Sequence, residues 1–245
     1  MVLALLGIIV SCADTSDFNT MLKKAETGDR DAQFNLGVMY DNGEGVPQDY
    51  GKAVEWFSKA ADQGDVWAQL NLGVMYHDGD DIPQDYQKAF HWFSKAADQG
   101  DARAQLNLGV MYNNGEGVPQ DYQKAFHWYS KAADQGKAEA QFNLGLLYEY
   151  GAGIPQNYKK AFELYSKAAD QGADLAQNRL GLMYKNGKGV ARNYVQAYKW
   201  LNLSAAQGND WGRRNREWVL KRMTPAQIAE GQKLSHQFME RTQKE

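Results

Sequence analysis

The sequence predicts an all-α protein built from repeated pairs of helices. A nine-residue segment recurs five times at a fixed step of 36 residues, with nearly the same sequence each time. It reads AQFNLGVMY from Ala32, and its further copies begin at Ala68, Ala104, Ala140 and Ala176. A second segment, KAFHWFSKAADQG in the copy from Lys88, recurs with the same step. Self-similarity at this period is typical of helical repeat arrays.

Both segments have the apolar spacing of an amphipathic helix. In the first segment, Ala68, Leu72, Met75 and Tyr76 fall at i, i+4, i+7 and i+8. In the second, small alanines alternate with large aromatic residues at helical spacing, which suits a closely packed core. We call the first segment helix A and the second helix B.

The residues around these helices predict caps, turns and a close helix contact. Asp29, Asp65 and Asp101 stand where helices A begin, and Asp121 follows the turn sequence NGEGVP where a helix B begins. A glycine follows each helix B, as expected of a left-handed cap. Five more glycines lie inside helices A, where they indicate that a neighbouring helix comes too close for a side chain. They are Gly37, Gly73, Gly109, Gly145 and Gly181.

The repeat divides the chain into four parts. We assign residues 1–12 to a signal segment, 17–31 to an N-terminal half-repeat, 32–211 to five repeats and 212–245 to C-terminal capping helices. Terminal units that shield the core are expected in repeat arrays. The last helix is predicted to begin after Thr224, with a proline next and a glutamine three residues on.

The first residues predict export. Val2 to Val10 is an apolar run with the length of a signal-peptide core, too short to cross a bilayer. The residues up to Cys12 resemble a bacterial lipobox, in which the cysteine becomes lipid-modified. Cleavage after Ala13 by ordinary signal peptidase is an alternative, and an N-terminal helix packed on the first repeat is another. Either cleavage predicts the periplasm, an outer-membrane lipoprotein or secretion.

Composition and charge exclude several classes of function. The net charge is −3, so no global basic field attracts nucleic acid, and membrane contact is expected only through a lipid anchor. A single cysteine excludes an intramolecular disulfide and a Cys-rich zinc site. The acidic turn after His77 lacks the spacing of a calcium loop, and His91 and His127 occupy exposed positions. We therefore expect a monomer without metal or cofactor.

Enzymatic activity is not expected either. Catalysis requires a group of convergent residues that departs from the scaffold pattern. In this chain almost every polar residue recurs in register with the repeat, which indicates a structural role. The function we expect is the binding of a protein or peptide.

The two helix motifs and the GxGVPQDY loop together resemble the Sel1-like repeat, a relative of the tetratricopeptide repeat. The resemblance covers roughly residues 17–211 in five consecutive copies. It implies a right-handed α-α superhelical solenoid that serves as an adaptor or scaffold, in bacteria often in the envelope. It also raises two alternatives: a secreted factor that contacts a host protein, and a β-lactamase-type hydrolase as described for cysteine-rich relatives. Their paired cysteines and a Ser-x-x-Lys motif are missing here.

The resemblance places helix A on the concave side and suggests binding residues there. In similar tetratricopeptide adaptors, asparagines and arginines before the Leu-Gly pair hold a peptide's backbone or terminal carboxylate. The corresponding residues here are Asn35, Asn71, Asn107, Asn143 and Arg179. Trp67 and Arg103 lie one turn earlier, where they would give sequence preference. The alternative is that the asparagines bond to one another and to neighbouring helices as an internal ladder.

Overall fold

The computed structural model describes residues 15–80 and 82–242, which form thirteen α-helices and no β-strand. After α1 (Thr15–Glu26), A and B helices alternate. Helices A are α2 (Arg30–Asn42), α4 (Val66–Asp78), α6 (Ala102–Asn114), α8 (Ala138–Tyr150), α10 (Asp174–Asn186) and α12 (Asp210–Leu220). Helices B are α3 (Tyr50–Asp62), α5 (Tyr86–Asp98), α7 (Tyr122–Asp134), α9 (Tyr158–Asp170) and α11 (Tyr194–Ala206), and α13 (Pro225–Thr242) ends the chain. The predicted all-α class of repeated helix pairs is confirmed.

The predicted caps are present. The Asp65 carboxylate accepts a 2.8 Å hydrogen bond from the amide of Ala68, and Asp121 accepts a 3.0 Å bond from the amide of Lys124. Asp29 and Asp101 cap their helices in the same way. These bonds satisfy amides that have no partner inside the helix. The glycines after helices B have positive φ, as the left-handed cap requires.

The chain divides into two compact units. The first contains the described residues up to Ala104 together with Glu116–Val118, and the second contains Gln105–Gly115 and the described residues from Pro119 onward. In the first unit, Phe57 and Leu72 are fully buried among the alanines of α3 and α4. In the second, Tyr165 and Leu180 hold the corresponding positions in the core of α9 and α10.

The glycines inside helices A lie where a B helix crosses closely. A Cβ on Gly73 would overlap the ring of Phe93, and one on Gly145 would come within 2.6 Å of the Tyr165 ring. Gly37, Gly109 and Gly181 meet Phe57, Tyr129 and Leu201 in the same way. The prediction of a close helix contact is therefore confirmed, because no side chain fits between the two helices at these points.

The C-terminal helix α13 packs against α11. Thr224 and Gln227 cap each other, with a 2.9 Å bond from the Thr224 amide and a 3.3 Å bond from the Gln227 amide. The predicted start of this helix is confirmed. Phe238 packs edge-on against Trp200 at 5.3 Å between ring centres, which buries the indole. Within the described ranges, no helix is both long and apolar enough to cross a membrane.

Candidate peptide-binding surface

Each helix A presents an exposed stripe on the side away from its core residues. In α4 the stripe comprises Trp67, Asn71, Val74 and Asp78, at helical spacing. Trp67 is 52% exposed, Val74 39%, and Asn71 is half-buried. The corresponding residues of the other helices A follow at steps of 36, and we call each such set an A stripe.

The four asparagines that precede the Leu-Gly pairs are accessible and unbonded. Asn35 is exposed, whereas Asn71, Asn107 and Asn143 are half-buried. None of their side-chain amides forms a hydrogen bond to another residue in the described part of the chain. None of these side-chain amide atoms is buried without a partner, so they remain accessible to solvent. The alternative of an asparagine ladder is therefore not what the structure contains.

An internal amide ladder does exist, but it consists of glutamines that the sequence analysis did not single out. Gln69 is 3% exposed and donates a 3.0 Å hydrogen bond to the carbonyl of Ala61. The side-chain oxygen of Gln69 accepts a 2.8 Å bond from the side-chain nitrogen of Gln99. The same pairing joins Gln33 to Gln63, Gln105 to Gln135, Gln141 to Gln171 and Gln177 to Gln207. The sequence signal for this ladder was the glutamine that follows an alanine at the start of each helix A and the glutamine that precedes the glycine after each helix B.

Trp67 and Arg103, predicted to set sequence preference, lie together in the first unit. The Arg103 guanidinium lies 4.3 Å from the centre of the Trp67 ring. One of its terminal nitrogens, Nη2, is buried and has no acceptor among the described residues. The pair thus combines an exposed indole with a positive group whose hydrogen-bonding capacity is incompletely used.

Arg179 is partly engaged by the protein itself. Its Nη1 lies 3.8 Å from Oε2 of Glu149, and its guanidinium lies 5.8 Å from the Tyr150 ring centre. Glu149 also accepts a 2.7 Å hydrogen bond from the hydroxyl of Tyr165. Burial, with the nearby Glu149 charge, raises the pKa of Tyr165. The long Arg179–Glu149 contact leaves guanidinium donors for a further acceptor.

The stripe continues onto α12, in the region assigned from sequence to the C-terminal cap. Trp211, Asn215, Trp218 and Arg222 fall at the stripe positions, 36 residues after those of α10. Trp211 is 66% exposed and Trp218 is 37% exposed. Asn209 donates a 2.9 Å bond to Asp174, which fixes α12 beside α10. Asn215 takes the asparagine position and was missed because the apolar motif has degenerated there.

His77 contacts two carboxylates, Asp78 at 2.8 Å from Nδ1 and Glu116 at 3.2 Å from Nε2. His91 and His127 are exposed, as predicted, and lie edge-on to the following tryptophans. No group of three or more potential metal ligands occurs in the residues that the structure describes. Cys12 and the signal segment lie outside those residues.

Helix pairs that recur at a fixed step, each with a buried apolar side and an exposed stripe, define an α-helical repeat protein. The sequence model of the Sel1 repeat matches residues 30–65, 68–101, 102–137, 138–172 and 174–209. The chain belongs to the Sel1 repeat family, and the resemblance found from its motifs is confirmed. No curated protein matches the chain.

Solved structures of similar sequence support the same fold. A Sel1 repeat protein from Oxalobacter formigenes is 27% identical with a TM-score of 0.73, over 89% of this chain and 96% of that one. A protective antigen of uropathogenic Escherichia coli with an SLR fold is 32% identical with a TM-score of 0.60, over 93% of this chain. The match covers 56% of that antigen, so this chain spans little more than half its length.

Proposed function

We propose that the protein binds an extended segment of another protein on its A stripes. Sel1 repeat proteins are typically protein-interaction scaffolds, and the fold places one A stripe on every repeat. The observation that carries the proposal is the contrast between two sets of amides. The buried glutamines are bonded within the fold, whereas the amides of Asn35, Asn71, Asn107 and Asn143 are accessible and form no hydrogen bond with the described residues.

The chemistry of the asparagine side chain suits an extended peptide. Each amide donates through nitrogen and accepts through oxygen, so it pairs with both groups of a peptide unit. In the second unit, contacts connect the helices that carry successive stripes. Arg179 of α10 approaches Glu149 of α8, and Asn215 of α12 lies 3.5 Å from Asn178 of α10. A bound segment would therefore meet Asn143, Arg179 and Asn215 on neighbouring helices.

The test is replacement of Asn71, Asn107 and Asn143 by alanine. Crosslinking in intact cells, followed by mass spectrometry, identifies a partner, whose affinity is then measured with purified proteins. We expect the triple variant to bind that partner at least about tenfold more weakly, because three accessible amide pairings are lost. Its melting temperature should stay within a few degrees, since no internal hydrogen bond is removed.

A control variant removes side-chain amides from helices B instead of helices A. Gln87 and Gln123 are exposed residues in the first turns of helices B, and replacing both by alanine should leave partner affinity unchanged. Equal affinity of the asparagine variant and the unaltered protein would refute binding through the A stripes.

We further propose that the protein acts outside the cytoplasm, as an envelope adaptor. The support is the apolar run Val2 to Val10 followed by Cys12 and the likeness to a protein described as a protective antigen. A lipoprotein should incorporate labelled palmitate and remain with membranes, and Cys12→Ala should abolish labelling. Labelled Cys12 supports anchoring, unlabelled protein in the periplasm or medium supports cleavage after Ala13, and unlabelled protein retained in the cytoplasm refutes export.

A further inference from the structure

The helices that carry the last two A stripes form a basic region in an otherwise acidic chain. Residues 174–186 and 210–222 contain seven arginines and lysines and three aspartates and glutamates, a local charge of +4. The whole chain has a net charge of −3. The positive charge is therefore concentrated on the side of α10 and α12, whose stripes lie next to each other in the second unit.

Two of these cations converge on one tryptophan. Lys185 Nζ lies 4.3 Å from the centre of the Trp218 ring, and the Arg222 guanidinium lies 3.5 Å from it. Lys185 also donates a 3.1 Å bond to Asn215. Neither cation has a carboxylate partner in the part of the chain that the structure describes. Burial, and then repulsion by Arg222, lowers the pKa of Lys185, as expected of like charges held together without a counter-ion.

Exposed apolar side chains stand beside the cations. Leu175 is 51% exposed and Trp211 66%, at the same stripe position of α10 and α12. Large apolar side chains that are this accessible beside a basic group are typical of protein interaction sites. We name this set of residues, Leu175, Lys185, Trp211, Trp218 and Arg222, the Trp218 surface.

We propose that the Trp218 surface binds an acidic segment of a partner protein that carries leucine or aromatic residues between its carboxylates. One or more carboxylates would lie against Lys185 and Arg222, while apolar side chains would cover Leu175 and Trp211. This inference rests on the proposed function, because it specifies the chemistry of the partner. The charge of the surface and its missing counter-ions carry the argument.

The net negative charge of the chain and the two cations over the Trp218 ring favour a protein segment over a nucleic acid as the ligand. Stacking of bases requires free aromatic faces, but two cations already lie over the Trp218 ring. A long polyanion would also meet the negative charge of the remaining chain, which opposes its binding. A short acidic segment meets only the basic surface.

The experiment measures fluorescence anisotropy with labelled peptides made of three Glu-Glu-Leu or three Glu-Glu-Phe units. We expect the unaltered full chain to bind them in a salt-sensitive manner, and the Gln-Gln-Leu and Gln-Gln-Phe peptides at least about tenfold more weakly. Lys185→Gln with Arg222→Gln should weaken binding of the acidic peptides by about tenfold or more. Circular dichroism should show an unchanged fold, because the double change removes a repulsion.

The matched control is Lys159→Gln with Lys167→Gln, which removes the same charge from exposed positions of α9 in the same unit. Its peptide affinity should stay within about twofold of the unaltered protein. An equal loss in both double variants would overturn the proposed site, because net charge alone would then explain binding.

Two further outcomes would overturn the inference. One is no detectable binding of either acidic peptide. The other is tighter binding of oligouridine RNA or phosphatidylglycerol vesicles with the same dependence on Lys185 and Arg222. If the peptides fail while the asparagine variant still loses its partner, only the Trp218 surface is refuted. If the peptides bind while the asparagine variant keeps full affinity, the asparagine contacts are refuted instead.

Discussion

Gln99 donates a 2.8 Å hydrogen bond from its side-chain nitrogen to the side-chain oxygen of Gln69, thirty residues earlier in the chain. Gln69 in turn donates to the carbonyl of Ala61 at the end of the preceding helix B. One buried amide thereby connects the ends of two successive B helices to the helix A between them. Because the pairing recurs in each repeat, these bonds add a polar network to the apolar packing of the helices.

We expect Gln69→Met to lower the free energy of unfolding by about 1–2 kcal/mol, because it removes two buried hydrogen bonds with little change in volume. The Ala61 carbonyl keeps its bond from the amide of Gly64, which limits the loss. Gln87→Met, at an exposed position of α5, is the control and should change stability by less than about 0.5 kcal/mol. Urea denaturation followed by circular dichroism measures both, and equal stabilities would contradict a structural role for the ladder.

A second prediction concerns the glycines inside helices A. Gly73→Ala should destabilise the protein by about 1–3 kcal/mol, because the added methyl group overlaps the ring of Phe93. The helical preference for alanine over glycine, up to about 1 kcal/mol, works in the opposite direction and is too small to compensate. Gly51→Ala, in the first turn of α3, faces only the Asp49 carboxylate and should be neutral or stabilising. Thermal unfolding of the two variants separates the effects, and a stabilised Gly73→Ala would disprove the close contact.

A third prediction concerns pH. Burial lowers the pKa of His77, but hydrogen bonds to Asp78 and Glu116 outweigh this effect and raise the pKa above its ordinary value of 6.5. A raised pKa means that protonated His77 stabilises the folded state fully below the unfolded pKa. This contribution is lost as the pH rises through the folded pKa. His77→Asn introduces the residue found at the same position, Asn113, in the next repeat.

Relative to this variant, the unaltered protein should therefore lose stability as the pH rises above the ordinary histidine pKa of 6.5. Melting temperatures of both proteins across this range provide the measurement. Parallel pH profiles would show that the His77 contacts contribute nothing to the pH dependence.

Much of the fold follows from local patterns in the chain. The apolar spacing of Ala68, Leu72 and Tyr76 indicates a helix, and Asp65 and Asp121 mark where two helices begin. Both signals depend only on residues a few positions apart, so they can be recognised from the sequence alone. The recurrence of Gly73 in every copy even revealed a close contact between helices, because its cost must be offset at each repeat.

The candidate binding surface was predictable only in part. The positions of Asn71 and Arg179 followed from the repeat, but which amides bond internally did not, because glutamine and asparagine carry the same amide group and only the packing of the helices decides which of them meets a partner. Gln69 is buried beside the Ala61 carbonyl of the preceding helix B, whereas Asn71 lies on the A stripe, away from the core.

The sequence by itself determined the helices, their caps, the repeat and the family. Only the tertiary structure decided which polar groups are consumed inside the fold and which face outward, and it brought Lys185 to Trp218 from another helix. The physical reason is range: caps and amphipathic spacing act within one or two turns. Hydrogen-bond partners and converging charges depend on how separate helices pack, over sequence distances of thirty residues or more.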